Sequence, residues 1–333
     1  MGVGIAGIAF HLPAEILDNE ALARHAPRFQ PDKVKAKTGI DRRYIAAAGE
    51  TAGDLATEAA RKLLAAQAID PASIDYMILC SQAPDFFLPT TACLVHERLG
   101  LRPGAGALDI NLGCSGFVYG LGLAQGLILS GQAARVLLLT ADTYSKFIDV
   151  DDLGTRTIFG DGAAATLVEA REAGALGPFV YGTDGRGAEH LIVPSGALRD
   201  RAGTGGGYRT HSGEQVPGKP LHMNGPEVFN FTIAAVPGAI RDLLGKAGIG
   251  AEQVDLFVFH QANATMLEAL RRKLEIPPER FHVDLSAANT VSSTIPIALS
   301  QAAAAGVLKP GMQVLLLGFG VGYSVAGTLL RWG

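Results

Sequence analysis

The chain has 333 residues, 48% hydrophobic and 18% charged, with a formal net charge of -4. That is apolar material for about two domain-sized units, and it excludes a disordered chain or a small stapled scaffold. The longest basic run, Arg271-Arg272-Lys273, ends at Leu274-Glu275 and reads as a solvated helix face, so no basic stripe suits a nucleic acid.

The N-terminal stretch MGVGIAGIAFHLP is broken by glycines and carries no basic region ahead of its apolar run. It reads as a first buried strand and not as a signal peptide. Gly2, Gly4 and Gly7 spell GxGxxG, but a dinucleotide loop needs a strand before it, and only Met1 precedes. Further along, YMILC, GALDINL, RVLLLTAD and AAATLVEA in the first half, and LFVFH, FHVDL and QVLLLGFG in the second, alternate with alanine- and leucine-rich helical stretches. Such alternation predicts an α/β fold with helix-covered sheets. No apolar run approaches the ~20 residues of a membrane span. Cys80, Cys93 and Cys114 form no CxxC pair, which argues against a disulfide framework and a structural zinc site. A soluble protein of the reducing cytoplasm is expected, with no metal.

The two halves resemble each other. RKLLAAQAIDPASIDYMILC (61–80) aligns without a gap on RDLLGKAGIGAEQVDLFVFH (241–260), which sets Cys80 against His260. Likewise LDINLGCSGFVYG lies against VDLSAANTVSSTI, which sets Cys114 against Asn289. The duplication predicts two similar α/β halves, 1–172 and 173–333, whose equivalent turns meet near a pseudo-twofold axis. There Cys114, His260 and Asn289 can converge. The glycine-rich stretch 199–220 breaks the repeat and reads as a mobile insertion loop, a candidate border of the site.

Cys114 stands where a strand-like run turns into a helix-like one, flanked by Gly113 and Ser115-Gly116. The turn reads as built for access. Backbone N–H groups at a helix N-terminus are expected to lower the thiol pKa and to stabilise a developing oxyanion. His260 ends a strand and precedes Asn263, a plausible helix N-cap, while Asn289 precedes a helix that Pro296 can enter only near its start. Taken singly, each residue also has a plain structural reading: core thiol, strand-end histidine, turn asparagine.

The motifs KTGIDRRYI, GCSGF, IFGDGAAA, HQAN, NTVSSTIP and GFGVGYS occur in order along the chain. Together they resemble the β-ketoacyl-acyl-carrier-protein synthase III group of condensing enzymes over essentially the whole length. That resemblance implies a thiolase-like, internally duplicated fold of five layers, αβαβα, and a Cys114-His260-Asn289 mechanism. Cys114 takes an acyl group from a thioester. The backbone N–H groups of Cys114 and Val321 form the oxyanion hole. His260 and Asn289 hold a malonyl-type thioester as it loses carbon dioxide and attacks. No cofactor is implied beyond the coenzyme A or acyl-carrier-protein thioester that serves as substrate. A homodimer is implied, in which SQAPDFFLPTTAC, with Phe86, Phe87 and Leu88, reaches the neighbouring acyl pocket.

Some positions depart from the family pattern. Where acetyl-coenzyme A enzymes carry an aromatic residue and an arginine for the nucleotide, this chain has Lys33 and Lys37, and a further arginine is Leu153. A basic carrier-docking residue after HQAN is Thr265, with Arg271 and Arg272 one to two turns later. Decarboxylative condensation, serving fatty acid or polyketide synthesis, is therefore the leading expectation. Acyl transfer to an alcohol or amine, without decarboxylation, is the alternative. A non-catalytic partner subunit is disfavoured by the complete residue set.

Overall fold

A computed structural model describes residues 2–26, 29–171, 175–201, 208–209, 213, 215–216 and 221–333. Two five-stranded sheets organise it. The first contains β1 (Gly2–His11), β2 (Tyr76–Cys80), β3 (Gly106–Ile110), β4 (Arg135–Asp142) and β5 (Gly162–Arg171), in the spatial order β1-β5-β4-β2-β3. The second contains β6 (Leu176–Thr183), β7 (Leu256–Phe259), β8 (Phe281–His282), β9 (Gln313–Gly320) and β10 (Ser324–Arg331), in the order β6-β10-β9-β7-β8. Strand for strand the orders and directions match. In each sheet the third-to-fifth strands in that order run parallel, and the first two join by antiparallel pairing.

The apolar runs become strands because residues buried on both faces need no alternation. In β2 and β4, Met77 to Cys80 and Val136 to Asp142 are all buried. Two strands, β6 and β10, went unrecognised in the sequence. Gly2, Gly4 and Gly7 lie within β1, paired to β5, so they form no phosphate loop.

Helices α1 (Ala52–Ala66) and α2 (Thr91–Arg98) pack outside the first sheet, and α4 (Gly225–Ala247) packs outside the second. Between the sheets run α3 (Gly116–Leu129) and α6 (Thr294–Ala304). Their contact with both sheets creates a central core in which Phe117, Leu121, Ile295 and Leu299 meet Ile78, Leu138, Val258 and Leu316. Separate apolar clusters fill the outer interfaces, giving five layers, αβαβα. Helix α5 (Ala264–Lys273) follows β7, with Asn263 as its N-cap accepting from the Met266 N–H at 2.9 Å. Pro296 is the third residue of α6, where its missing N–H costs no helical bond.

The boundary drawn between residues 172 and 173 lies outside the described residues. So does most of the insertion at 199–220. Within it the structure describes a short pairing of Tyr208–Arg209 with Gln215–Val216.

Candidate active site

Each predicted reactive residue occupies the connection that follows a strand. Cys114 lies between β3 and α3, His260 directly after β7, and Asn289 between β8 and α6. All three line one cavity of about 100 Å³, together with Phe159, Met223, Met266, Phe319 and Gly320. Convergence follows from topology: α3 and α6 start at the same end of the central layer, so their N-terminal turns face one another.

Close packing holds Cys114 in place. A Cβ on Gly318 would come within 2.6 Å of both the Cys114 carbonyl oxygen and Ser115 Cα, and one on Gly320 within 2.9 Å of Cys114 Sγ. Only glycine lets β9 run this close to the nucleophile turn. Ser115 Oγ and Ser324 Oγ, 2.6 Å apart, tie that turn to the start of β10.

The expectation of an accessible, acidified thiol is corrected here. Cys114 is only 5% exposed. Burial pushes its thiol up to about 12, and the nearby Asp142 carboxylate adds to the rise. Two backbone N–H groups, those of Val321 and of Cys114 itself, act on the sulfur in the opposite direction without overcoming desolvation. A position near a helix N-terminus favours the thiolate, but it does not decide the outcome where water is excluded.

His260 is 1% exposed, and burial pulls its imidazole down to about 3, so the ring is neutral at physiological pH. Its Nδ1 lies 2.7 Å from Thr294 Oγ1, and its ring meets Phe319 edge-on. Asn289 is fixed by IFGDG: the Asn289 N–H donates to the Ile158 carbonyl at 3.1 Å, and the Gly160 N–H donates to the Asn289 carbonyl at 3.0 Å. Its side-chain Oδ1 accepts from the Val291 N–H at 3.0 Å, which leaves the Nδ2 hydrogens for the cavity. The turn is strained, with Ala288 at φ 58° and the β-branched Val291 at φ 55°.

Sequence reasoning missed Asp142, at the end of β4. Fully buried, it accepts from the Gln82 N–H at 2.8 Å, the Ser292 N–H at 3.2 Å and the Ser292 hydroxyl at 2.5 Å. It thereby ties the first sheet to the asparagine turn. Burial raises its carboxyl to about 7. No local motif marks it, since its partners are 60 and 150 residues away.

A second cavity, of about 580 Å³, is lined by Tyr144, Phe147, Leu191, Leu221, Val321 and Phe87 among others. Tyr144, Leu191, Leu221 and Val321 also belong to the apolar cluster that contains Cys114, so this cavity starts beside the nucleophile. Leu88 does not line it and is 85% exposed. Lys33 and Lys37 stand exposed on the helix Pro31–Thr38, outside both cavities. That helix is joined to α5 by the Thr265 hydroxyl, which donates to the Lys37 carbonyl at 2.5 Å. Arg271 and Arg272 both pair with Glu268, at 2.7 and 2.5 Å. Among the described residues no cluster of acidic, histidine or cysteine side chains could hold a metal, and no helix is long and apolar enough to cross a membrane.

Comparison with known proteins gives consistent matches. Residues 108–185 match the family described as 3-oxoacyl-[acyl-carrier-protein] synthase III, and residues 244–332 match its C-terminal counterpart. A β-ketoacyl-[acyl-carrier-protein] synthase III from Caldanaerobacter subterraneus is 34% identical, covering 100% of this chain and 98% of the relative. A solved 3-oxoacyl-(acyl-carrier-protein) synthase III is 51% identical, with a TM-score of 0.94 and 100% of both chains covered. The priming β-ketosynthase of the R1128 polyketide pathway is 28% identical, with a TM-score of 0.88 over 99% of this chain and 96% of that one.

Proposed function

The chain belongs to the 3-oxoacyl-[acyl-carrier-protein] synthase III family, and on that premise we propose how its own residues divide the family's reaction. The enzyme is an acyltransferase that joins a primer acyl group to a malonyl-type thioester by decarboxylative Claisen condensation. In the first stage Cys114 attacks the primer thioester. The tetrahedral oxyanion is held by the N–H groups of Cys114 and Val321, the pair that already acts on the sulfur. The acyl chain then extends into the 580 Å³ cavity, whose first residues pack around Cys114.

In the second stage the malonyl-type thioester enters the cavity shared by His260 and Asn289. Loss of carbon dioxide puts negative charge on its thioester carbonyl. A neutral imidazole and an amide suit that carbonyl, because both donate hydrogen bonds without surrendering a proton. The enolate carbon attacks the acyl carbonyl on Cys114, the new carbon–carbon bond forms as the carbon–sulfur bond to Cys114 breaks, and the freed thiolate takes up a proton from water as the β-ketoacyl product leaves.

The observation that carries this reading is the convergence of one nucleophile and two neutral donors, from opposite halves of the chain, on a single cavity. Intact-protein mass after incubation with acyl-coenzyme A or acyl-carrier substrates, followed by carbon dioxide release from a labelled malonyl thioester, tests it. An acyl-enzyme that transfers its group to an alcohol or amine, with no carbon dioxide from any malonyl compound, overturns it.

Lys33 and Lys37, exposed on the surface, would meet donor phosphates, whether these are carried by coenzyme A or by a carrier protein's prosthetic arm. A homodimer fits the exposed tip Phe86-Phe87-Leu88, at 59%, 67% and 85% exposure, beside the half-buried edge strand β3. Three free cysteines fit a reducing cytoplasm.

A further inference from the structure

What His260 can do at the cavity is decided at its other ring nitrogen. Nδ1 has the Thr294 hydroxyl 2.7 Å away, and the two residues are 1% and 3% exposed. A hydroxyl has one hydrogen to give. The other acceptor within reach of Thr294 Oγ1 is the Val291 carbonyl at 3.3 Å, long beside the usual ~2.7–2.8 Å of an O–H···O bond. The hydrogen therefore belongs to the short contact with Nδ1. Since burial keeps the imidazole neutral, it carries a single N–H, and with Nδ1 accepting, that N–H is on Nε2. The helix geometry favours the same arrangement. Thr294 is the first residue of the 11-residue α6, so the positive end of that helix faces Nδ1 and favours a lone pair there over an N–H.

We propose that Thr294 is a positioning residue that holds His260 as the Nε2–H tautomer. His260 is thereby a hydrogen-bond donor to the malonyl-type thioester, and it lacks the lone pair needed to take the Cys114 proton. In acyl transfer the carbon–sulfur bond to Cys114 forms, the bond to the donor's sulfur breaks, and the Cys114 proton ends on the departing thiol. The proposal rests on the condensation role given to His260 above.

Nitrogen-15 NMR of the full-length, histidine-labelled enzyme at neutral pH reads the tautomer directly. The expected spectrum has His260 Nε2 in the protonated range and Nδ1 in the unprotonated range, with His260→Gln used for assignment. Thr294→Val keeps the shape and removes the hydroxyl. It should slow condensation by about tenfold while leaving the rate of Cys114 acylation within about twofold, and Thr294→Ser should restore condensation. A wild-type spectrum with the proton on Nδ1 overturns the proposal. So does a Thr294→Val enzyme whose acylation falls as far as its condensation, or a folded Thr294→Ser enzyme as slow as the valine variant. If Thr294→Val does not fold, the wild-type spectrum and the serine variant still decide. A wild type that releases no carbon dioxide from malonyl thioesters defeats the condensation reading instead, whichever nitrogen carries the proton.

Discussion

Raising the pH from 7 to 9 should speed alkylation of Cys114 by about a hundredfold. A thiol is reactive as its thiolate, and raising its pKa lowers the thiolate fraction at every pH below that value. With the thiol held at about 12, roughly one molecule in 10⁵ is ionised at pH 7 and one in 10³ at pH 9, a tenfold gain per unit. An ordinary cysteine, with a pKa near ~8.5, would approach saturation over the same interval. The assay is iodoacetamide labelling followed by intact mass, in a Cys93→Ser background, because Cys93 is exposed whereas Cys80 is buried. Asp142 supplies a second arm. Its carboxylate is the main charge raising the thiol, so Asp142→Asn should label faster than wild type at pH 8. A labelling rate that levels off at or below pH 8 refutes the reasoning and shows that the helix N-terminus outweighs burial.

Cys114→Ala should abolish covalent acylation, whereas His260→Ala and Asn289→Ala should still accept an acyl group yet condense about a hundredfold more slowly or worse, as intact mass and carbon dioxide release will tell. Equal failure of all three at acylation would make His260 the base for the thiol. Sedimentation should give twice the chain mass, and Phe87→Asp should weaken that association; a clean monomer at micromolar concentration counts against the dimer. Gly318→Ala should cost about 1–3 kcal/mol in denaturant unfolding and slow acylation, since its Cβ would sit 2.6 Å from the backbone of Cys114 and Ser115. Unchanged stability and rate would mean that this turn has room to yield.

The strand runs and the duplication were legible because buried parallel strands write themselves as unbroken apolar segments, and because aligning the halves sets Cys80 against His260 and Cys114 against Asn289. The ionisation of Cys114 was not legible. A glycine-flanked turn before a helix signals a local field, but the competing desolvation comes from residues distant in sequence, among them Tyr144, Phe159, Leu191 and Leu221. Asp142 was hidden for the same reason, as an aspartate at the end of an apolar strand whose bonds all go to other elements. Thr294 stood in plain view inside NTVSSTIP, but its partner was visible only once β7 and α6 were set side by side.

Helices α3 and α6, whose N-terminal ends follow the nucleophile and the asparagine, are wedged between two sheets, with Phe117, Val118, Ile295 and Leu299 fully enclosed. Such backbone opens only when the whole molecule opens. On slow warming, catalysis and global structure should therefore disappear in a single step. Deuterium should reach the amides of Leu121 and Leu299, inside α3 and α6, later than those of the exposed helix Pro31–Thr38.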